Sequence, residues 1–186
     1  MRYFRLNDDI ASVDRWHLGD ASANSGTLPD LLDVRPLPAE LTLSVPVTRP
    51  GRKLVFCFTS FGVPVAVREL ADLILSIAQS EVQIVRIDIL GDGYRCEYRV
   101  PHCLREYECL DESKSEFLKW TEANGRPELV GHYRMVTRMR IDRRMLPNDA
   151  HFFRVAKWPV VLVVSEVVKQ AMERAGSVGA IFDEIS

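Results

Sequence analysis

The pattern of apolar and polar residues is clearest in a strand–helix–strand unit near the C-terminus. Val160 to Val164 is an unbroken run of β-branched residues and leucine, which is typical of a strand buried on both faces. Ser165 can then accept a hydrogen bond from a free backbone N–H of a new helix, and Gly176 would end that helix. Apolar residues at 3.6-residue spacing predict the helix over about 166–175, with a short strand from Ala180 to Phe182 after it. We expect the core to be built on this unit.

A second amphipathic helix is predicted over about 67–78, because apolar residues recur there at the same spacing. The strand Val82 to Leu90 follows, and Gly91-Asp92-Gly93 is a hairpin turn into the next strand. Both helices are preceded by a Pro-Val pair, at Pro64 and at Pro159, and are followed by a β-rich segment. Two explanations of this likeness stay open. Any two strand–helix–strand units share such a residue pattern, or the fold is pseudo-duplicated, with two helices packed on a shared sheet.

Short β-rich segments between turn residues make up most of the remaining chain. Arg2 to Leu6 is predicted as an edge strand, and Leu41 to Val47 as an edge or terminal strand because Pro46 has no N–H to donate. Since strands outnumber the two helices, the predicted fold class is α+β with a largely antiparallel sheet. Further extended segments are predicted at Arg15 to Leu18, Lys53 to Phe58, Tyr94 to Val100, Tyr107 to Leu110, Glu116 to Trp120, Tyr133 to Asp142 and His151 to Val155.

Length and composition predict a single domain over residues 1–186, since 186 residues with 47 % apolar content can bury a substantial core. Residues 20–38 are mostly small and polar and are predicted to form a surface loop. The 24 Lys and Arg against 26 Asp and Glu give a formal net charge of -2, which disfavours nucleic acid as a partner. The chain shows no apolar run long enough to cross a bilayer and no secretory signal, so we expect a cytoplasmic protein without a membrane partner.

No residue spacing in the sequence indicates a catalytic or metal site. Cys57, Cys96, Cys103 and Cys109 lack the paired spacing of zinc ligands, so we expect buried free thiols, no metal and no cofactor. There is no glycine-rich phosphate loop and no serine nucleophile elbow, so no catalytic residue is predicted. An enzyme whose site is assembled from distant loops, around His102 and Cys103, stays open as an alternative.

The segment from Tyr133 to Asp142 alternates most regularly and carries the main electrostatic feature. Strand periodicity places Arg134, Arg138 and Arg140 on one face. Such a basic strip would bind an acidic surface or a phosphate group, or it would be a solvated face paired with nearby acids. The two predicted faces are Tyr133, Met135, Thr137, Met139 and Ile141 on one side and Arg134, Val136, Arg138, Arg140 and Asp142 on the other.

The three tryptophans differ in their predicted roles. Trp158 lies at the start of the buried strand and is expected to join the core. Trp16 and Trp120 lie at strand ends beside polar loops and are predicted to be contact anchors, since exposed tryptophan is a favoured interface residue.

Several motifs along the chain together resemble one bacterial family. They are Trp16-His17-Leu18-Gly19, Arg49-Pro50-Gly51-Arg52, Cys109 to Glu116, Trp120, Gly125-Arg126-Pro127, Tyr133-Arg134, Arg140-Ile141-Asp142, His151-Phe152-Phe153-Arg154, Trp158 and Val164 to Lys169. In these motifs the chain resembles immunity protein family eleven of bacterial polymorphic toxin systems, formerly a family of unknown function and common in myxobacteria. The resemblance implies a cytoplasmic antidote that binds and silences a cognate toxin delivered by sibling cells, without catalysis. It assigns no role to an individual residue.

The expected binding residues depend on the chemistry of the partner. A nuclease toxin would have a basic active site, so an immunity protein would present acids to it, here beside a tryptophan. A nucleic-acid or phospholigand-binding module would use the arginines instead. The candidate partner-binding residues are therefore Asp111, Glu112, Glu116 and Trp120 for the first hypothesis and Arg134, Arg138 and Arg140 for the second.

Overall fold

The computed structural model describes residues 1–24, 26–91 and 97–186, and within them the chain forms fourteen strands and two α-helices. The helices are α1 (Arg68–Ile77) and α2 (Glu166–Arg174). The strands are β1 (Tyr3–Asp8), β2 (His17–Leu18), β3 (Ser22–Ala23), β4 (Thr42–Arg49), β5 (Phe56–Phe58), β6 (Pro64–Val67), β7 (Val82–Leu90), β8 (Tyr98–Cys103), β9 (Glu106–Tyr107), β10 (Glu116–Lys119), β11 (Tyr133–Arg138), β12 (Phe152–Val155), β13 (Trp158–Ser165) and β14 (Ala180–Glu184).

The C-terminal strand–helix–strand unit is built around the N-terminal strand β1. α2 begins directly after β13, where the Ser165 hydroxyl accepts a hydrogen bond from the backbone N–H of Val168 at 3.3 Å. β13 and β14, before and after the helix, both pair antiparallel with β1, which lies between them. The five-stranded sheet has the order β14-β1-β13-β12-β9. The first strand of the chain is therefore an inner strand of a sheet whose other strands follow residue 100.

The upstream unit has the same topology. α1 follows β6 directly, and the strands before and after the helix, β6 and β7, both pair antiparallel with β8 between them. This seven-stranded sheet has the order β2-β4-β7-β8-β6-β5, with β3 also paired to β4. Both units are split βαβ arrangements, in which the two strands beside the helix flank a third strand. The repeated topology that a pseudo-duplicated fold requires is present, on two sheets rather than one.

The two helices share one apolar core with residues of both sheets. Leu70 and Ile74 of α1 and Val168 and Met172 of α2 are buried in it. Phe56 from the seven-stranded sheet packs in the same cluster, as do residues of β1, β12 and β13. Because burial of apolar surface is the dominant favourable term in folding, this shared core holds the two units together.

Glu81, between α1 and β7, also joins the two sheets. One carboxylate oxygen accepts hydrogen bonds from the backbone N–H groups of His151 and Phe152 at 2.8 and 2.9 Å. The carbonyl of Glu81 accepts a third bond, from the N–H of Leu104 at 2.8 Å. Burial raises the pKa of the Glu81 carboxyl, and the two bonds to its carboxylate offset part of that shift.

The predicted α+β class with largely antiparallel pairing and two amphipathic helices is confirmed. Among the described strands, β4–β7 and β12–β9 are the parallel pairs. The edge assignment of Arg2 to Leu6 is wrong, since this segment falls in the inner strand β1. Leu41 to Val47, predicted in an edge or terminal position, falls in β4, which has neighbours on both sides, so the edge alternative is wrong. Pro46 is tolerated in β4 because it lies at the end of the ladder, opposite the last residue of β7.

Residues 20–38 are attached to the seven-stranded sheet at several points. β3 pairs antiparallel with β4, and the Gln83 side chain exchanges two hydrogen bonds of 2.8 Å with the backbone of Leu37. Leu31 and Leu37 are buried in a second apolar cluster on this sheet. The apolar residues of the segment therefore anchor it, while several of its polar residues stay exposed.

Part of the predicted turn Gly91-Asp92-Gly93, the beginning of the strand predicted from Tyr94 to Val100, and Cys96 lie outside the described residues. The predicted strand Val82 to Leu90 before that turn is confirmed as β7. In the parts of the chain that the structure describes, neither helix is long and apolar enough to cross a membrane.

Candidate functional site

β10 and β11 form a separate two-stranded antiparallel sheet, here called the hairpin. One side of it packs on the protein, where Val136 is buried in a third apolar cluster with Phe153 of β12. Phe117 and Tyr133 pack against the same cluster, and their rings meet edge to face with centroids 5.3 Å apart. These contacts leave the opposite side of the hairpin exposed.

The centre of the exposed side is apolar. Leu118 of β10 and Met135 of β11 are direct cross-strand partners, and they are 57 % and 50 % exposed. Two large apolar side chains that face each other in solvent form a continuous apolar surface, because partners on one face of an antiparallel pair lie about 5 Å apart.

A pair of residues that includes an arginine borders this apolar centre at each end. Glu116 is the cross-strand partner of Arg138, with 4.0 Å between Oε1 and Nη1. At the other end the Arg134 guanidinium lies over the Trp120 ring, 5.3 Å from its centroid. We call the set of three pairs the outer hairpin face: Glu116, Arg138, Leu118, Met135, Trp120 and Arg134.

The regular alternation predicted for residues 133–142 is wrong in part. Val136, predicted on the arginine side, is buried, whereas Met135, predicted on the opposite side, is exposed. The ladder shifts register twice, once at each end of the hairpin, so Thr137 and Arg134 of β11 have no direct partner on β10. Each extra residue interrupts the two-residue period, because a bulge places two residues opposite one. The arginines therefore do not form one continuous strip.

Asp111 and Glu112 lie just before β10 and are engaged in local contacts. The Asp111 carboxylate accepts a hydrogen bond from the Ser113 hydroxyl at 2.6 Å, and Lys114 Nζ lies 3.1 Å away. These contacts, that of Ser113 first, lower the pKa of Asp111. The Glu112 carboxylate is 2.6 Å from Lys119 Nζ and accepts a 2.6 Å bond from the Tyr133 hydroxyl.

Both Glu112 contacts lower the pKa of that carboxyl, and the Lys119 bond contributes most. Burial, together with the bond to Glu112, raises the pKa of Tyr133 well above its ordinary value. The predicted acids are therefore divided: Glu116 lies on the outer hairpin face, while Asp111 and Glu112 stabilise the segment that leads into the hairpin.

Arg140 is separated from Arg134 but lines a groove together with Arg138. Its Nη1 donates to the carbonyls of Met139 and Glu184 at 2.9 and 3.4 Å, which directs the side chain along the protein surface. The groove has a volume of about 320 Å³ and lies at the Glu116–Arg138 end of the hairpin. We call it the basic groove; its lining residues are Ser113, Lys114, Ser115, Glu116, Arg138 and Arg140.

The other two tryptophans do not join the outer hairpin face. Trp16, predicted to be a contact anchor, is only 2 % exposed and packs against Tyr98 with ring centroids 5.3 Å apart, so that prediction is wrong. Trp158, predicted in the core, is partly buried and lies under the Arg5 guanidinium at 5.6 Å. A hydrophobic residue beside a polar loop can be buried by a distant segment, which local sequence does not show.

The structure gives no support to a site around His102 and Cys103. The two are consecutive in β8, so their side chains point to opposite faces, and both are buried. His102 Nε2 contacts the Arg35 carbonyl at 2.9 Å, and burial lowers its pKa. Cys103 Sγ donates to the Arg105 carbonyl at 3.2 Å, and burial raises its pKa to about 11.

The predicted buried free thiols are confirmed for Cys57, Cys103 and Cys109. Burial raises the pKa of both Cys57 and Cys109 to about 12, so neither has the thiolate character of a reactive cysteine. In the described part of the chain, no group of three or more His, Cys, Asp and Glu side chains is placed to hold a metal ion.

Comparison with known proteins supplies the functional class that these contacts alone do not. Residues 92–186, just over half of the chain, match the model of the Immunity protein family (Imm11). The chain belongs to this family. No curated protein matches the chain significantly. The motifs Trp16-His17-Leu18-Gly19 and Arg49-Pro50-Gly51-Arg52 lie outside the matched region.

The Imm11 match contains the whole hairpin and the basic groove. It also contains α2 and four of the five strands of the C-terminal sheet. It excludes β1, the strand that pairs with both β13 and β14. The matched region of this Imm11 protein is thus completed by a strand from the other end of the chain.

Leu118 and Met135 were not predicted as site residues of this Imm11 protein, although the sequence contains a signal for Leu118. Phe117 and Leu118 are consecutive apolar residues in a strand, and consecutive strand residues point to opposite faces. Because only one side of the hairpin packs on the protein, burial of Phe117 leaves Leu118 exposed. The signal for Met135 is absent locally, because its exposure depends on the register shifts of the hairpin.

Proposed function

We propose that this protein is a non-catalytic immunity protein that binds and neutralises a cognate bacterial toxin in the cytoplasm. The observation that carries the proposal is the match of residues 92–186 to the Immunity protein family (Imm11). The buried, protonated thiols and the separation of His102 from Cys103 are consistent with a binding protein rather than an enzyme. An immunity protein of this kind needs a surface that blocks the toxin, not a reactive group.

We further propose that the toxin binds the outer hairpin face. Its centre, Leu118 and Met135, is apolar and exposed, and Trp120 with Arg134 lies beside it. Protein interfaces have an apolar centre with a polar rim, and tryptophan and arginine are over-represented among the residues that dominate their affinity. The arrangement therefore fits a protein partner with an apolar recess at its own contact surface.

The same geometry disfavours nucleic acid as the partner of this face. Arg138, 4.0 Å from Glu116, and Arg134, stacked on Trp120, lie at opposite ends of the apolar pair, so they do not form a continuous basic strip. A polyanion would also have to contact the exposed apolar pair in the middle. With a formal net charge of -2, the chain has no general basic excess to attract it.

The deciding experiment is co-expression with the toxin encoded beside this gene. Rescue of growth together with a stable complex of the purified proteins is the expected result. Failure of rescue with no detectable complex would refute the immunity function.

Variants then test the proposed face separately. We expect Trp120→Ala to weaken toxin binding by about 30-fold or more, the effect of losing an interface hot spot of 2 kcal/mol. Val160→Ala is the matched control for Leu118→Ala and Met135→Ala, because Val160 is exposed to a similar degree, at 54 %, but lies on β13 rather than on the hairpin. If the wild-type protein rescues growth and Trp120→Ala, Leu118→Ala and Met135→Ala all bind normally, the function stands and the face is refuted.

A further inference from the structure

The basic groove concentrates positive charge beside the outer hairpin face. Lys114, Arg138 and Arg140 line it, and Glu116 is the one carboxylate among its lining residues. These lining residues carry a formal charge of +2 when the lysine, the two arginines and the glutamate are counted. Lys114 and Arg138 each lie within 4.0 Å of one acid, as many exposed Arg and Lys side chains of the described residues do. The groove differs in that three cations and a single carboxylate line one depression.

The three cations keep hydrogen-bond donors for a ligand. Lys114 Nζ has one acid near it, Asp111 at 3.1 Å, and an ammonium group has three N–H donors. Arg138 has a single long contact of 4.0 Å to Glu116, and both side chains are more than 60 % exposed. Arg140 uses Nη1 for two carbonyls, which fixes the side chain and leaves the rest of the guanidinium fork available.

The backbone around the groove is fixed by reciprocal bonds between its two sides. The Ser115 hydroxyl accepts a hydrogen bond from the Arg140 N–H at 2.9 Å and donates to the Arg140 carbonyl at 3.1 Å. The backbone N–H of Asp111 donates to the same carbonyl at 2.8 Å. These bonds hold the segment that carries Lys114 against the one that carries Arg138, so the backbone beneath the cations is fixed before a ligand binds.

We propose that the basic groove is a binding site for a phosphate group. A phosphate or phosphomonoester carries close to two negative charges at neutral pH, which matches the charge of the lining residues. Arginine and lysine together are the usual ligands of such a group, the first through its planar fork and the second as a point charge. The groove volume of about 320 Å³ accommodates one phosphoryl group with part of the molecule that carries it.

This proposal does not depend on the immunity function, because it concerns a small ligand and requires no toxin. It differs from a nucleic-acid strip, since Arg134 lies outside the groove, stacked on Trp120 at the other end of the hairpin. One phosphate bound in one groove is expected, rather than contacts along a backbone.

The test is titration of the full-length protein with inorganic phosphate at constant ionic strength, followed by NMR chemical shifts or calorimetry. We expect saturable binding of one phosphate, with chloride unable to reproduce it. N-acetylphosphoserine amide is the second ligand: tighter binding than inorganic phosphate would indicate a phosphorylated side chain as the source, and weaker binding a free phosphate. Either result requires the groove to bind the phosphate group.

Exposed variants locate the site without unfolding the protein. Arg138→Gln and Lys114→Gln should each weaken phosphate binding about tenfold, the effect of one charge-assisted contact. Arg126→Gln is the matched control, because Arg126 is exposed to a similar degree and is paired with Glu128, outside the groove. Glu116→Gln should tighten binding, since it removes the one lining carboxylate and releases Arg138 from its pair.

Three results would overturn the proposal. The first is the absence of saturable phosphate binding by the wild-type protein, and the second is equal binding by Arg138→Gln and the wild type. The third is binding of an oligonucleotide without a terminal phosphate, with an affinity that increases with oligonucleotide length and is lost in Arg134→Gln. That result would indicate a strip that binds the phosphodiester backbone instead.

Discussion

Removing the Glu81 carboxylate should destabilise the protein more than most single substitutions, because this group connects its two sheets. Glu81 is 4 % exposed, and one of its carboxylate oxygens accepts bonds from the N–H groups of His151 and Phe152. Glu81→Ala leaves both donors without an acceptor. A hydrogen bond to a charged group is worth about 1.5–3 kcal/mol, so we expect the free energy of unfolding to fall by about 3–5 kcal/mol.

Glu81→Gln separates the effect of the hydrogen bonds from that of the charge. The amide oxygen of Gln can accept the same two bonds, so this variant should be within about 1 kcal/mol of the wild type at pH 7. The pH dependence should differ, however, since burial raises the pKa of the Glu81 carboxyl above its ordinary value of 4.5. The folded protein therefore binds this proton more tightly than the unfolded chain does.

The sign of the pH effect follows from that difference. As the pH rises from the ordinary pKa to the raised one, the unfolded chain loses the proton first, so the wild type loses stability relative to Glu81→Gln. The loss is about 1.4 kcal/mol for each unit by which the pKa is raised, and it stops above the folded pKa. This contribution to stability falls as the pH rises, whereas that of a carboxylate stabilised by an ion pair increases with pH.

Urea denaturation followed by circular dichroism, between pH 4 and pH 8, measures both effects. The wild type, Glu81→Ala and Glu81→Gln should be compared at each pH, because their difference cancels the other titrating groups. The reasoning is refuted if Glu81→Ala loses less than about 1 kcal/mol at pH 7. It is also refuted if the stability difference between the wild type and Glu81→Gln does not change with pH.

Two further substitutions test particular packing contacts. Arg154 is fully buried, and within the described residues its Nε and Nη2 have no hydrogen-bond partner, although Nη1 donates to the Pro159 carbonyl. Arg154→Met should therefore raise the free energy of unfolding by about 1 kcal/mol or more, whereas Arg154→Ala should lower it by leaving a cavity. Urea denaturation measures both changes, and a Met variant less stable than the wild type would contradict this reasoning. Gly179→Ala should lower the free energy of unfolding by more than about 2 kcal/mol, because φ is +104° and a Cβ would lie 2.1 Å from the Phe56 carbonyl oxygen. In the matched control Gly176→Ala, φ is +70° and the space around the Cβ is open, so the free energy of unfolding should fall by only about 1 kcal/mol. Equal melting temperatures of the two variants would contradict the predicted clash at Gly179.

The candidate site was predictable from sequence only in outline. The segment that contains it was identified, because an alternating strand with three arginines and a nearby tryptophan is visible locally. The exposed centre of the site was not identified, since the exposure of Met135 and the burial of Val136 follow from register shifts between β10 and β11. Arg140 lies beyond the end of β11, and its bonds to the carbonyls of Met139 and Glu184 direct it away from Arg134, which local sequence does not show.

Local sequence by itself determined the positions of both helices and the existence of most strands, because periodicity, a capping serine and turn residues act over a few neighbours. It also showed that two strand–helix–strand units follow one another in the chain. The tertiary structure decided which strand completes each unit: β1 enters between β13 and β14, and β8 between β6 and β7. Strand pairing joins residues far apart in sequence, so it depends on the burial of the whole core and cannot be read from any one segment. For the same reason Arg2 to Leu6, which resembles an edge strand, is an inner strand of the C-terminal sheet.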